Sequence, residues 1–399
     1  MALPSSGAIS LNDVNVELGN SGNASINMGS TAVRDLFGVA SGAISLSDGY
    51  GAASVSAVNP LTLSQTYKLC GSTYAANAGG TGPYDLGPEF GYSVAISQNE
   101  NYYIVGTRNT TPNTGSFNVF NSSGVQQYLV NSAYTRLTGG AVALTNNYAV
   151  AVRRTDSGFN SGFMMIHVFN ISNGTFVRTI LTTVLKSGSK GIWPTVKVRG
   201  DTDIVYIRYA NRVEAYNVAT GASVGGFTTT VNSTSDRQMS MALTENYVFV
   251  TNYDGAVQKL DLNLNLVATL SGVISKGAIT ATEGTIGLKD YAGSYKIYNH
   301  SGVLVSTVAI TSRSRTHVDS SSSHHFVLET DLGVASELTM IDDSGTVVRT
   351  LTQANDIPMG TSRVAVGATS IMIGTFNGQT SPCTSSWGTL TGEAQIWKE

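Results

Sequence analysis

Charge is scarce in this chain of 399 residues: Lys, Arg, Asp and Glu together make up 12%, and the formal net charge is only -3. No Lys/Arg-rich run occurs, so the electrostatic footprint of a nucleic-acid or anionic-membrane binder is missing. Long hydrophobic runs are missing too. No apolar stretch approaches the roughly 20 residues of a membrane-spanning helix, and Met1 to Ser6 has neither the basic nor the apolar region of a signal peptide. The expectation is a protein that folds in a cytosol, with neither membrane nor nucleic acid among its partners. Cysteine is limited to Cys70 and Cys383, which leaves one candidate disulfide. Beyond residue 60 no amphipathic stretch of helical length interrupts the chain, which argues against a helical body.

What is present is a 41% apolar content, enough for a large core, with abundant Gly, Ser, Thr, Asn and Tyr. A surface kept soluble by hydroxyls and amides is common among extracellular and virion β-proteins. Through this composition runs a short repeat: an aliphatic residue, a large apolar or aromatic one, Asn or Asp, a turn, then Val-rich residues. It centres on Phe120-Asn121, Phe169-Asn170, Tyr216-Asn217, Leu260-Asp261, Tyr298-Asn299 and Ile341-Asp342, and a truncated copy ends at Trp397-Lys398.

Around these anchors lie β-branched and aromatic runs broken by Asn, Gly and Asp turns, such as Ala141–Leu144 and Tyr148–Val152, or Met241–Leu243 and Tyr247–Val250. Each unit thus holds an inner strand, a hairpin partner, the anchor strand and a last strand such as Gln126–Val130, Phe176–Leu181 or Val347–Leu351. Four antiparallel strands recurring every 38 to 56 residues match a β-propeller blade, and seven anchors predict seven blades. The last copy ends on its third strand. Leu61 to Leu69 has the character to supply the missing fourth, so residues 55–399 are read as a propeller closed by pairing the two ends of the domain.

Residues 1–54 carry a different repeat: Gly7-Ala8-Ile9-Ser10-Leu11-Asn12-Asp13, then Ala24-Ser25-Ile26-Asn27-Met28, then Gly42-Ala43-Ile44-Ser45-Leu46-Ser47-Asp48. In two copies Ser stands three residues before Asp, the spacing of a capping box. Ser10–Leu18 and Thr31–Phe37 are the candidate helices, each too short to be stable alone, and residues 51–60 read as a linker.

This N-terminal pattern, GAISLNDVNVELG with an AVRDLFG-like segment and GAISLSDGYG, resembles N-terminal segments of tailed-bacteriophage tail or fibre-like structural proteins. The resemblance implies a virion protein assembled in the host cytoplasm and present as a homo-oligomer in the particle. Its first 54 residues would dock on other tail, baseplate or head proteins through Ile9, Leu11, Val14, Val16, Leu18, Ile26, Met28, Leu36, Phe37, Ile44 and Leu46. Further along, Phe90-Gly91-Tyr92-Ser93-Val94-Ala95 followed by Tyr102–Thr107 resembles the FG-GAP repeat of integrin-type propellers. That family often binds calcium in a loop of alternating Asp or Asn, but Arg108–Gly115 here has no carboxylate. The resemblance therefore carries over the fold without a metal, and no cofactor is expected.

Signals for catalysis are poor, and the reading is that the protein is not an enzyme. Of five histidines only His324 and His325 are adjacent, in what reads as a solvated Ser-rich turn. Gly91–Ala95 lacks the second glycine and helix of a nucleophile elbow. Glycoside cleavage needs two carboxylates about 5 to 10 Å apart, and Asp85, Glu89, Asp156, Asp254, Asp290 and Asp331 are the loop candidates. Aromatic loop residues are more suggestive: Tyr74, Tyr84, Tyr134, Phe159, Trp193, Tyr253, Tyr291 and Trp387 all fall in connections that share one face of a propeller. Exposed rings stack on sugar faces while amides and hydroxyls bond sugar hydroxyls, so this face is the candidate contact for host surface polysaccharide or receptor. Cys70 follows the closing strand and Cys383 precedes the last third strand, which brings them to neighbouring strands on one face. The alternatives are a structural adaptor or head decoration without a host ligand, and a polysaccharide-degrading appendage.

Overall fold

The computed structural model describes most of residues 3–50 and, beyond them, 65–69, 89–108, 115–131, 141–154, 164–183, 194–199, 202–209, 212–229, 240–252, 256–274, 278–290, 293–310, 315–331, 334–352, 361–376 and 393–398. The chain divides into two compact units, Met1–Thr62 and Leu63–Glu399.

The first unit contains two seven-residue helices, Leu11–Glu17 and Thr31–Phe37, and a 3-10 turn, Leu46–Gly49. Both capping boxes form. Asp13 N–H donates to Ser10 Oγ at 3.2 Å while Ser10 N–H donates to Asp13 Oδ2 at 2.8 Å, and Ser45 N–H donates to Asp48 Oδ2 at 2.7 Å. Hydrogen bonds from Ser10 hold the Asp13 carboxyl below its ordinary range. Helices this short need outside support, and Arg34 supplies some of it. Its guanidinium donates to the carbonyls of Gly29, Val39 and Gly42. Tyr50 closes the unit by donating its hydroxyl to the Gly7 carbonyl at 2.6 Å.

Its core is Leu3, Ile9, Val14, Val33, Leu36 and Phe37, with Leu18, Ile26, Met28, Val39, Ile44 and Leu46 packed against it. These residues include most of the expected docking set. Nine of those eleven side chains face the unit's own core, because a module this small must bury nearly every apolar residue it has. Leu11 and Val16 alone of the set point outward, 45% and 49% exposed.

The second unit is a β-propeller of seven antiparallel four-stranded blades. Blade 1 comprises Glu89–Ile96, Tyr102–Arg108, Gly115–Asn121 and Gln126–Asn131; blade 2 Ala141–Leu144, Tyr148–Arg154, Met164–Asn170 and Phe176–Leu181; blade 3 Thr195–Arg199, Ile204–Tyr209, Arg212–Asn217 and Ser223–Thr228. Blade 4 comprises Met241–Leu243, Tyr247–Thr251, Ala256–Asp261 and Leu266–Ile274; blade 5 Ile279–Ala281, Thr285–Lys289, Ser294–Asn299 and Leu304–Ala309; blade 6 Arg315–Ser320, His324–Asp331, Val334–Asp342 and Val347–Thr352. Blade 7 takes Thr361–Val366, Ser370–Phe376 and Glu393–Lys398 from the end of the chain, and Gln65–Leu69 pairs with Glu393–Lys398, setting Thr66 opposite Trp397. The closing strand starts at Gln65; residues 61–64 lie outside the described residues.

The first strand of each blade touches the first strands of the blades before and after it, and that of blade 7 touches that of blade 1, so the ring is complete. Apolar faces pack between blades: Val152, Ile166 and Ile180 of blade 2 with Val205 and Ile207 of blade 3, and Val105 and Phe120 of blade 1 with Met372 and Ile396 of blade 7. Each fully buried aliphatic side chain contributes about 1.5–3 kcal/mol.

All seven anchors lie on third strands and are at most 7% exposed. In the six blades whose fourth strand follows directly, the register slips by one residue at the anchor: Val119 faces Tyr128 but Phe120 faces Gln126, and the same shift recurs at Phe169, Tyr216, Leu260, Tyr298 and Ile341. The Asn or Asp after the anchor explains the hairpin that follows. Its side-chain oxygen accepts amides two to four residues ahead, as from Ser123 and Val125 at Asn121, and from Ser344 and Thr346 at Asp342. The turn then passes through positive φ, taken by Gly124, Gly174, Gly221, Gly302 and Gly345, and by Leu264 in blade 4.

Candidate functional site

In this ring the short turns between first and second strands and between third and fourth strands emerge on one face, and the longer connections emerge on the other. Tyr74, Tyr84, Tyr134, Phe159, Trp193, Tyr253, Tyr291 and Trp387 are the aromatics expected on the second face, where, for example, blade 1 ends at Asn131 and blade 2 begins at Ala141. The eight aromatics themselves lie outside the described residues, as do Cys70, Cys383, Asp85, Asp156 and Asp254. Asp290 is described. It accepts the N–H and hydroxyl of Ser294 and pairs with Lys296 at 3.3 Å, a local turn structure.

Near the axis the first strands bring charged groups together. Lys197 of blade 3 pairs with Asp319 of blade 6, whose other oxygen accepts the Val366 amide of blade 7 at 3.0 Å. Arg363 of blade 7 donates to the His317 ring of blade 6. A ring crossed by such contacts is braced at its centre.

Polar groups between blades were not legible as a site in the sequence. His324 and His325 stand at the start of a strand, 7% and 0% exposed, which overturns the expected solvated turn. Hydroxyls from blade 5 make this burial tolerable: His325 Nδ1 lies 2.6 Å from Thr280 Oγ1 and Nε2 lies 2.8 Å from Thr285 Oγ1. Thr285 also donates to Asp343 Oδ1 at 2.6 Å, and Thr280 meets the hydroxyl of buried Tyr295. Because the Thr285 proton is committed to Asp343, Nε2 must carry a proton and Nδ1 must accept. Hydrogen bonds therefore run in one direction from Tyr295 through Thr280, His325 and Thr285 to Asp343. Burial pushes the His325 pKa down to about 3 and raises that of Asp343.

Other interior charges are similarly occupied. Glu214, 2% exposed, accepts from Thr183 N–H, Tyr209 and Tyr216 hydroxyls and Arg212. Burial acts to raise its pKa, but these hydrogen bonds outweigh it and the net shift is downward. Arg208, 1% exposed, reaches from blade 3 to the carbonyls of Ser240 and Thr251 in blade 4, and burial lowers its pKa to about 9. Glu329 takes Lys289 and Thr316. These groups stitch blades together through structural partners. Among the described residues no group of three or more His, Cys, Asp or Glu is placed to hold a metal ion.

No protein-family model matches the chain, and no curated protein matches it. Among solved structures, BamB from Moraxella catarrhalis is similar at 15% identity and a TM-score of 0.48, over 78% of this chain and 85% of that one. Hsv2 from Kluyvelomyces marxianus is similar at 10% identity and a TM-score of 0.46, over 73% and 93%. Such likenesses concern the course of the backbone only.

Proposed function

We propose that this chain is a structural protein of a tailed-bacteriophage virion. In this reading it is a compact, non-enzymatic appendage whose N-terminal unit docks on the particle and whose propeller presents its long-connection face to a host surface glycan or receptor. The observation that carries the reading is the GAISL-type segment: its two copies fold as a capped helix and a capped 3-10 turn about a core of their own, and Leu11 and Val16, exposed outside that core, would make the docking contact. A body low in charge and rich in hydroxyls and amides supports a surface that recognises sugars rather than polyanions. The interior carboxylates Glu214 and Glu329 are taken up by structural donors, which supports a binding role over hydrolysis.

The test uses purified particles and the isolated full-length chain. Antibody raised against the chain should decorate the particle, and Leu11→Asp/Val16→Asp chain should stay folded yet fail to incorporate. The wild-type chain should bind host cells and compete with particle adsorption. Absence of the chain from particles overturns the virion assignment. Incorporation without cell binding leaves a structural adaptor or decoration, and new reducing ends released from host polysaccharide would make it a degrading appendage.

A further inference from the structure

The fourth strand of blade 2, Phe176–Leu181, is the outer edge of its sheet. Its register sets Val168 opposite Arg178 and Ile166 opposite Ile180, and the Thr182 N–H donates to the Met164 carbonyl. Inward and outward main-chain groups alternate along an antiparallel strand. Arg178, Ile180 and Thr182 therefore bond into the sheet, while the N–H and C=O of Thr179 and Leu181 point away from it.

Beside this edge runs an open groove of about 620 Å3 towards blade 3, lined by Arg178, Thr182 and Thr183 on one side and by Tyr216, Gly221 and Ser223 on the other. Arg178 lies against Gly221, where an added Cβ would come within 3.1 Å of Nη1, and φ there is +82°, which favours glycine. The Arg178 Nε is shielded from solvent and has no hydrogen-bond partner. Among the described residues no carboxylate pairs with this guanidinium; the carboxylate beneath Tyr216, Glu214, already accepts four donors. Phe176 and Leu181, 48% and 55% exposed, stand on the opposite face of the same strand from Arg178, Phe176 against the rings of His167 and Phe169.

Unpaired strand groups, a shielded cation without an anion and exposed apolar side chains form a set that one kind of ligand satisfies. We infer that this edge takes an extended segment of a partner protein as a fifth strand of blade 2, seating an Asp or Glu side chain on Arg178 and apolar side chains on Phe176 and Leu181. The inference stands apart from the identity of the particle or host ligand.

A random dodecapeptide display library selected on the full-length chain tests it. Enriched peptides should carry one Asp or Glu at a fixed position within alternating apolar residues. Their affinity should fall at least tenfold on Arg178→Ala, and also on Leu181→Pro, which removes an outward N–H without touching the ladder. Selection on Arg178→Glu should return Lys or Arg at that position. Unfolding midpoints of the variants within a few degrees of wild type keep the comparison valid, and Arg178→Lys serves as the folded, charge-preserving control if Leu181→Pro is unstable. Peptides without the acidic position, or binding that survives Arg178→Glu, overturn the inference. So does concentration-dependent dimerisation lost in Arg178→Ala, which would assign the edge to a second copy.

Discussion

Lys197 and Asp319 form an ion pair between blades three apart in the ring, so the contact crosses its axis rather than following the seam between neighbours. Through the Val366 amide the same carboxylate holds blade 7. The side chains are 27% and 15% exposed, partly desolvated but not sealed. Breaking such a pair from one side leaves a half-buried charge, whereas removing both charges together does not. Lys197→Met and Asp319→Asn should each lower unfolding free energy by about 1–3 kcal/mol, with the double variant recovering part of that loss. A urea-melt double-mutant cycle reads the coupling, and additive losses would mean that the pair contributes nothing across the axis.

His325 predicts a pH dependence with a defined sign. Its folded pKa, about 3, lies below the ordinary histidine value of 6.5, so the unfolded chain binds the proton more readily. Stability from this group is complete above about pH 6.5 and is lost as pH falls from there towards 3. The groups facing it are His324, His300, Asp342 and Asp343, with Thr280, Thr285 and Tyr295 against the ring. Asp343 works the other way: its raised pKa weakens the fold as pH rises through the carboxylate range. At pH 5 the histidine alone should cost about 2 kcal/mol relative to pH 7.5. Thermal melts of wild type and His325→Gln across this range should diverge on acidification, with the wild type falling further. Parallel curves would sink the account.

The difference between what was legible in the sequence and what was not follows from range. The seven anchors, the turn Asn or Asp and the strand pairs repeat within a few residues of one another, so the blades and their number could be read directly. His325 depends on Thr280 and Thr285, 45 and 40 residues away in another blade. Arg208 depends on carbonyls 32 and 43 residues away. No local pattern marks such partners, and a Ser-rich neighbourhood looks solvated until the facing hydroxyls are known. The burial of most of the docking set was hidden for a related reason. Periodicity says which residues are apolar, but only the closed fold of the first unit says that Ile9 and Val14 turn inward while Leu11 and Val16 do not.

Leu264 occupies the position that glycine takes in five other blades, at φ 66° and 2% exposed. A left-handed leucine costs about 1–2 kcal/mol of backbone strain, yet its side chain packs with Val248, Val250 and Leu260 in the core between blades 3 and 4. Burial of that size outweighs the strain, so Leu264→Gly should destabilise the protein by about 1–3 kcal/mol net despite relaxing the turn. Gly345→Ala should also destabilise, since its φ is +89° and a Cβ there would meet Ser306 Oγ at 2.2 Å. Unfolding midpoints decide both; a more stable Leu264→Gly would show that the turn, rather than the core contact, dominates.

Closure gives the sharpest separation of outcomes. Without Gln65–Leu69 the strand Glu393–Lys398 loses its outer partner, and a sheet edge opens beside the seam with blade 1. An unpaired edge of this kind recruits other chains. The same deletion leaves intact the contacts that Lys398 makes from blade 7 to the Ser122 carbonyl of blade 1 and that Thr369 makes to Glu100, so the ring is weakened at one strand rather than cut. A chain beginning at Leu63 should therefore stay free of aggregation and melt as the full protein's second unit does. A chain beginning at residue 70 should show an earlier transition and aggregate, and a synthetic peptide spanning residues 63–70 should restore part of the lost stability. Light scattering during a thermal ramp reads all three, and identical melts for the two truncations would show that the N-terminal strand is not what holds the seventh blade shut.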